Sequence, residues 1–377
     1  MSVRKPNQIK DLSEDQQEAL KSIRMSRVIV PIVIGVGAVS YLLWRNFDPE
    51  EFAKIEWTQH TFIWMGISLL LFLSWHLAYS ARLRMLSQKA FSWWKSIELI
   101  AIWEFASAVS PSAVGGSTVA FFILAQEKLP VGKTTMIVLY TIMLDGFFFI
   151  VTIPVLYALF GSTIMRPGAV DFADTGAWAF YFVAAYSVMT TYSLFFYYGI
   201  FVNPGQLKRI LGFFTKLPLL RRYHRSAIKL GNDMIVASQE LRQQGWRFHF
   251  MAGFSTFIIW TLRFLILSSC IIAFVDTMPL DFGTQFELYA RLETMFLIFL
   301  FSPTPGGAGV IELLFGGFLK DYIVNPTVST VISTFWRILT YYSYMLAGAI
   351  VIPNWINNIL RDRRKQKQAE QAMEEAQ

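Results

Sequence analysis

The chain has 377 residues, of which 54% are hydrophobic and only 16% are charged. This composition excludes an ordinary soluble domain and is typical of a membrane protein with several spans. The formal charge of +7 does not indicate nucleic-acid binding, because the basic residues cluster in loops without a basic–aromatic binding motif. The single cysteine, Cys270, excludes an intramolecular disulfide, and the four scattered histidines show no metal-ligand spacing. We therefore expect no metal and no cofactor.

Six apolar segments are long enough to cross a bilayer, which requires roughly 20 residues. They are Arg27–Trp44, Thr61–Ser80, Thr134–Phe160, Ala177–Val202, Phe248–Val275 and Thr327–Ile352. The polar residues 1–26 do not form a signal peptide, and we interpret them as a cytoplasmic N-terminal segment. The transmembrane domain is thus predicted over 27–353, with a cytoplasmic tail over 354–377 that is either a polar helix or disordered.

Two further apolar regions, Ser96–Leu124 and Gln285–Leu319, are each split by a motif of prolines and glycines. The first motif runs from Ser110 to Ser117, and the second runs from Ser302 to Glu312. Their arms of about 14 to 17 residues are short for a span and favour re-entrant hairpins. Backbone leaves the helix inside a membrane only where protein or a water-filled cavity covers it. Broken segments at matching places in two halves therefore indicate a transporter-type binding site.

Loop charges predict the orientation of the chain. Lysine and arginine dominate the N-terminus, the loops around Lys89 and Lys128, the loop 203–247 and the tail, which we place in the cytoplasm. Acidic residues dominate the intervening loops, which we place outside. Both ends of each split segment then lie on one side, the first hairpin entering from the cytoplasm and the second from outside.

The predicted fold is an all-α polytopic membrane protein with six transmembrane helices and two re-entrant helical hairpins in an inverted repeat. Pairs of short crossing helices would satisfy the same loop charges. The loop 203–247 alternates apolar and basic residues, which is typical of amphipathic helices on an anionic leaflet. A solvated connector is the alternative for this loop.

The broken motifs supply the first candidate binding residues. A helix that restarts after glycines presents free N–H groups and a partial positive charge to an anion. The candidates are Pro111, Gly115, Gly116, Ser117 and Thr118 in the first motif, and Pro305, Gly306, Gly307, Gly309 and Glu312 in the second. The alternative is that the glycines only allow close helix packing and that the polar residues only cap helices.

Ionisable residues within apolar sequence supply the second set, because a charge inside a membrane is costly and marks a functional interior. They are Glu104, Asp145, Arg263, Arg291, Glu293, Glu312 and Arg337. Arg263 and Arg337 are candidate ligands of a lipid phosphate, since guanidinium suits bidentate contacts.

Internal ion pairs, such as Arg337 with Glu312 or Arg263 with Asp145, are the alternative for these charges. Glu287 and Arg291, which are four residues apart, are expected to form a structural helix pair.

The second motif closely resembles the Pro-Gly-Gly-x-Gly-x-x-Glu signature of the flippase-like family, which comprises the membrane domain of lysylphosphatidylglycerol synthetases and its stand-alone relatives. The first motif resembles the first-half signature of one branch. Some members carry an acidic residue and an arginine where Ser117 and Ala120 stand here, so those headgroup contacts are not transferred. The chain has no room for the soluble synthetase domain, so the resemblance does not imply lipid aminoacylation.

The expected function is that of a lipid flippase or transporter in the cytoplasmic (inner) membrane, with both termini in the cytoplasm. No nucleotide-binding motif is present, so movement would be downhill or coupled to protons through Glu104, Asp145 or Glu312. The expected partners are a membrane phospholipid or lipid-linked substrate and anionic lipid at the basic loop, with no nucleic acid. Self-association into a homo-oligomer stays open. The alternatives are a membrane enzyme that modifies lipid headgroups and a scaffold for a lipid-synthesis enzyme.

Overall fold

The computed structural model describes residues 49–53, 55–109, 120–121, 123–127, 129–166, 168–169, 172–216, 224–302 and 310–375. The helices in chain order are α1 (Pro49–Ala53), α2 (Gln59–Leu86), α3 (Trp93–Val109), α4 (Val131–Phe160), α5 (Ala177–Tyr197), α6 (Pro204–Phe214), α7 (His224–Arg242), α8 (Trp246–Phe274), α9 (Phe282–Phe299), α10 (Val310–Phe318), α11 (Pro326–Arg337) and α12 (Ser343–Glu375). A π-helical turn, Tyr198–Val202, continues α5, and a second, Ile338–Tyr342, joins α11 to α12. Over the ranges described, all regular secondary structure is helical, which confirms the predicted all-α class.

Five helical stretches in the described part of the chain are long and apolar enough to cross a membrane. They are Gln59–Leu86, Val131–Ile164, Ala179–Val202, Trp246–Phe274 and Pro326–Ile359. Each coincides with one of the predicted spans, while the predicted first span, Arg27–Trp44, lies outside the described residues. The last helix continues to Glu375, so the described part of the tail is helical.

Local chemistry explains where several helices begin. The Thr58 side chain accepts the Thr61 N–H and caps α2, and the Asn325 side chain accepts the Thr327 N–H at 2.8 Å and caps α11. The Asp281 carboxylate accepts the Thr284 N–H at 3.0 Å and caps α9. This backbone hydrogen bond holds the pKa of Asp281 below its ordinary value.

Pro154 lies inside α4. A proline cannot donate to the carbonyl four residues earlier, which is that of Ile150. The Tyr186 hydroxyl of α5 donates to this carbonyl at 3.1 Å. A neighbouring helix thus satisfies the backbone acceptor that the proline leaves open, as the interior of a membrane protein requires.

The long helices α2 and α8 pack against each other along their lengths. The Ser68 and Ser269 hydroxyls join them by a buried hydrogen bond of 2.8 Å. Helix α3 packs between α2 and α12, whereas α9 packs against α8, α4 and α5. The arms of the two split segments therefore each pack on one member of this pair, α3 on α2 and α9 on α8.

Contacts sort the helix ends into two groups. At one end, the Lys133 ammonium donates to Gln88 at 2.8 Å, and Gly132 of α4 packs against Asp233 of α7. At the opposite end, the rings of Phe160 and Phe286 lie 5.3 Å apart in an edge-to-face arrangement. This grouping matches the sides that loop charges predict. The assignment of the Lys133 end to the cytoplasm stays a prediction.

The loop 203–247 contains α6 and α7, which pack on each other, and α7 also packs against α4. Phe213 and Phe214 at the end of α6 are exposed. The predicted helices are present in the described part of this loop, and its contact with anionic lipid stays a prediction.

Candidate functional site

The broken motifs fall largely beyond what the structure describes. Pro111, Gly115, Gly116, Ser117, Thr118, Pro305, Gly306, Gly307 and Gly309 lie outside the described residues. Glu312 belongs to the first turn of α10, which begins at Val310, and its side chain is outside what is described. The predicted restart of a helix after the second motif is therefore present, and the flanks of both motifs can be followed.

A network of charged side chains joins the two ends of the first split segment. The Lys95 ammonium in the first turn of α3 lies 2.6 Å from Glu127, which follows the segment in sequence. Lys95 also pairs with Glu98 at 3.0 Å, and the Trp355 indole N–H of α12 donates to Glu127 at 2.7 Å. The segment thus returns to the level at which it starts.

The second split segment is joined in the same way. The Arg291 guanidinium of α9 donates to both oxygens of Asp321, after α10, at 2.7 and 2.6 Å. It also pairs with Glu287 at 2.6 Å, which confirms the predicted helix pair. The ring of Tyr322 lies 4.9 Å from the guanidinium carbon, and burial raises the pKa of Tyr322 to about 12. Arg291 is therefore a structural anchor.

A cluster of charged and aromatic residues, which we call the central cluster, lies between α2, α3, α4 and α8. Arg82 of α2 is only 2% exposed and donates to Asp145 of α4 at 2.7 Å and to Thr256 of α8 at 2.9 Å. The Trp260 indole N–H donates to the same Asp145 oxygen at 3.3 Å, and the Tyr79 ring lies 4.5 Å from the Arg82 guanidinium carbon. One buried ion pair and its neighbours thus hold three helices, α2, α4 and α8, together.

Arg263 forms the second part of the central cluster. Its guanidinium carbon lies 5.2 Å from the Trp75 ring, 5.4 Å from the Trp260 ring and 5.5 Å from the Phe296 ring. Glu104 of α3 is buried and interacts electrostatically with Arg263. Three aromatic faces attract the cation of Arg263, and the Glu104 side chain of α3 is close enough to interact with it electrostatically.

A further polar pair completes the central cluster. His76 of α2 and Tyr344 of α12 share a hydrogen bond of 2.8 Å between Nδ1 and the hydroxyl oxygen. Tyr344 interacts electrostatically with both Glu104 and Arg263. The structure therefore brings three predicted site residues, Glu104, Asp145 and Arg263, into one network.

The proposed Arg263–Asp145 pair is wrong, because the partner of Asp145 is Arg82. Arg82 follows the predicted span Thr61–Ser80, which placed it in the adjoining basic loop, yet it lies within α2 and is buried. Helical spacing is the signal that would have found it. Trp75, Tyr79 and Arg82 recur at i, i+4 and i+7 on α2, which places them on one helix face.

Arg337 lies elsewhere, at the C-terminal end of α11, and is 2% exposed. The preceding residue, Trp336, packs edge-to-face on Phe296 of α9 at 5.8 Å. One turn later, Tyr341 clusters with Ala108, near the end of α3. Arg337 therefore lies in the segment that contacts the described flanks of both broken motifs. Its predicted pairing with Glu312 stays a prediction, since the Glu312 side chain is outside what is described.

Comparison with known proteins places these features in a family. The chain is 24% identical over 309 residues to a UPF0104 membrane protein of Archaeoglobus fulgidus, covering 76% of this chain and 84% of the relative. No solved structure matches the chain. Residues 28–348 match the family described as the lysylphosphatidylglycerol synthase TM region. Because this match covers most of the chain, including both split segments and the central cluster, the protein is a member of the lysylphosphatidylglycerol synthase transmembrane-region family.

Proposed function

We propose that this protein moves a phospholipid or lipid-linked headgroup across the membrane, with the central cluster as the site that receives the headgroup phosphate. The observation that carries the proposal is the position of Arg263. One arm of each split segment reaches it, since α3 contributes Glu104 and α9 contributes Phe296. A cation placed between two interrupted membrane segments is suited to bind an anionic headgroup.

The surroundings of Arg263 support a phosphate ligand. Its side chain is partly exposed. Within the described ranges three aromatic rings surround the guanidinium, and Glu104, Tyr79 and Tyr344 interact with it electrostatically. Arg82 and Arg291, in contrast, are each held by carboxylates at 2.7 Å or less. Arg263 thus keeps its hydrogen-bond donors available for a bidentate contact with phosphate.

The split segments are proposed to be re-entrant hairpins. The contacts of Lys95 with Glu127 and of Arg291 with Asp321 support this, because they bring the ends of each segment together. The length of α10 supports it too. Nine residues rise about 14 Å, less than half of the roughly 30 Å hydrocarbon core.

Packing between helices supports an inverted repeat. In an inverted repeat, α2, α3 and α4 of the first unit correspond to α8, α9 and the pair α11–α12 of the second. The contact between α2 and α3 then corresponds to the contact between α8 and α9. The contact between α3 and α12 likewise corresponds to the contact between α9 and α4, and all four contacts are present. Two units with matching contacts around α2 and α8 would place the hairpins on opposite sides of one cavity.

The family name supports a lipid as the substrate, since it refers to the transmembrane region of a synthase whose product is a phospholipid derivative. We propose a transporter without enzyme activity of its own. Mass spectrometry of the lipids that co-purify with the protein would identify the headgroup.

The test is movement of a fluorescent phospholipid across liposomes that contain the purified protein, read as the fraction quenched by an impermeant reductant. Arg263→Gln should slow movement roughly tenfold or more, because a hydrogen bond to a charged group contributes about 1.5–3 kcal/mol. Arg166→Gln is the matched control, since Arg166 is exposed and donates only to the Asp174 carbonyl among the described residues. Movement by Arg263→Gln at the wild-type rate would overturn the proposal.

A further inference from the structure

A second carboxyl group is buried in the membrane part of the protein, away from the central cluster. Glu293 of α9 is 0% exposed, and one of its oxygens accepts no hydrogen bond from the residues that the structure describes. The other oxygen shares a hydrogen bond with the Thr152 hydroxyl of α4. The residues from Ala290 to Leu297 on the same helix are all buried.

The hydrogen bonds of Thr152 restrict the protonation state of Glu293. The Thr152 oxygen also lies 2.7 Å from the Phe148 carbonyl oxygen, one helical turn earlier. A hydroxyl has one proton, and a backbone carbonyl can only accept. If Thr152 donates to Phe148, as buried threonines in helices do, then Glu293 must donate to Thr152. Only a protonated carboxyl group can donate.

We propose that Glu293 is a proton-binding site that is occupied in this conformation and that joins α9 to α4. The cost of burying a charge also favours a protonated Glu293. An ionised carboxylate at this depth would be taken out of water with one hydrogen bond and no cationic partner among the described residues, which costs far more than holding a proton.

The charged and titratable groups that the structure describes around Glu293 have other partners, so a proton is the ligand that neutralises this carboxyl group. Tyr289, one turn earlier on α9, interacts electrostatically with Glu293 and shares a hydrogen bond of 3.3 Å with Thr261 of α8. On α5, Tyr186 donates to the Ile150 carbonyl. The nearest described cation on the same helix, Arg291, is held by Glu287 and Asp321, and Arg263 of α8 interacts with Glu104.

Loss of this proton would place an unpaired charge between α4 and α9. Because α9 is the first arm of the second split segment, proton release would weaken the contact that holds this arm against α4. If the protein moves lipid as proposed above, Glu293 is the group through which a proton couples to that movement. This last step rests on the proposed function, while the protonation of Glu293 does not.

Infrared absorption of the purified protein in detergent at neutral pH tests the protonation directly. Wild type should show the carbonyl band of a neutral carboxylic acid that Glu293→Gln lacks. The matched control is Glu287→Gln on the same helix, which removes an ion-paired carboxylate and should remove no acid band. Identical absorption of wild type and Glu293→Gln in the acid region would overturn the proposal.

A second pair of variants keeps the test decisive if Glu293→Gln does not fold. Thr152→Val removes the hydrogen-bond partner and should shift the acid band to higher frequency, whereas Thr152→Ser should leave it in place. An unchanged band in Thr152→Val would overturn the assignment of that band to Glu293.

Liposome transport then tests the coupling. Wild-type lipid movement should depend on pH, and movement by Glu293→Gln should not; equal pH dependence of the two would overturn the coupling. If wild type moves no lipid, the proposed function fails, and the infrared measurement still decides whether Glu293 holds a proton.

Discussion

At the scale of single residues, the Arg82–Asp145 pair is the most consequential contact in the central cluster. Its 2.7 Å hydrogen bond is buried on the arginine side, and Thr256 and Trp260 add further hydrogen bonds. Removing one member of a buried pair leaves an uncompensated charge, which costs more than removing both.

We therefore expect Arg82→Gln to lower the free energy of unfolding by about 3–5 kcal/mol, because Asp145 would lose its cation. The double variant Arg82→Gln with Asp145→Asn should recover much of this loss. Thermal unfolding in detergent measures both, with Arg166→Gln as the control that leaves the core unchanged. Equal loss in the single and double variants would show that the two side chains do not act as a pair.

Glu293 gives a pH-dependent prediction for stability. In the unfolded chain a glutamate has an ordinary pKa of about 4.3, so at neutral pH the folded state binds a proton that the unfolded state lacks. Stability should then fall as the pH rises.

As the pH rises above about 4.3, where the unfolded chain releases this proton, we expect the thermal midpoint of wild type to decrease relative to that of Glu293→Gln. Parallel curves for the two proteins would contradict a proton bound at Glu293.

The sequence could predict a residue of the central cluster where its neighbours along the chain are all apolar. Glu104, Asp145 and Arg263 stand out because each is charged within a long apolar run, and the structure joins them in one network. Arg82 lies close to other basic residues at the end of a span, so its sequence context is that of a loop. Helical spacing places it on the same face of α2 as Trp75 and Tyr79, and its hydrogen bonds to Asp145 and Thr256 show that this face is buried.

At the scale of helices, close approach between elements depends on glycines, as two contacts within the bundle show. A Cβ atom at Gly348 of α12 would overlap the Phe105 ring of α3, and one at Gly146 of α4 would overlap the Ser193 side chain. Helix interfaces in membranes are enriched in small residues for this reason.

We expect Gly348→Ala to lower the free energy of unfolding by about 1–3 kcal/mol, because the added methyl group overpacks the α3–α12 contact. Gly66→Ala is the matched control, since a Cβ at Gly66 of α2 meets no atom within 4 Å. Thermal unfolding of the two variants compares the sites directly. A Gly348→Ala variant as stable as Gly66→Ala would show that α3 and α12 can separate without cost.

The positions of the membrane-spanning helices could be predicted, because the length of an apolar segment is enough to identify a span. Each predicted span within the described residues coincides with a helix. The pairs Lys95–Glu127 and Arg291–Asp321 were not predictable, because the residues of each pair are about 30 positions apart along the chain. Loop charges placed the ends of each split segment on one side, but only the fold shows that they touch.

At the scale of the whole molecule, the contacts divide the helix ends into two groups, and this division has a direct test. Single cysteines replacing Lys89 and Lys128 should react with an impermeant reagent from one side of the membrane. Cysteines replacing Asp281 and Lys320 should react from the opposite side. The native Cys270 is buried, so it should not interfere. Opposite-side labelling within either pair would contradict the re-entrant arrangement.

The bond between Trp355 and Glu127 has a consequence for biogenesis. The contacts that fasten the first split segment to the last span, among them those of Trp355, Gly348 and Tyr341, are made by residues that leave the ribosome after all the other spans. The first split segment must therefore remain in the bilayer without its final neighbour while more than 200 residues are synthesised. During that interval the nascent chain depends on the insertion machinery or on lipid to cover α3, and a chain that terminates before α12 would leave this surface open to membrane proteases.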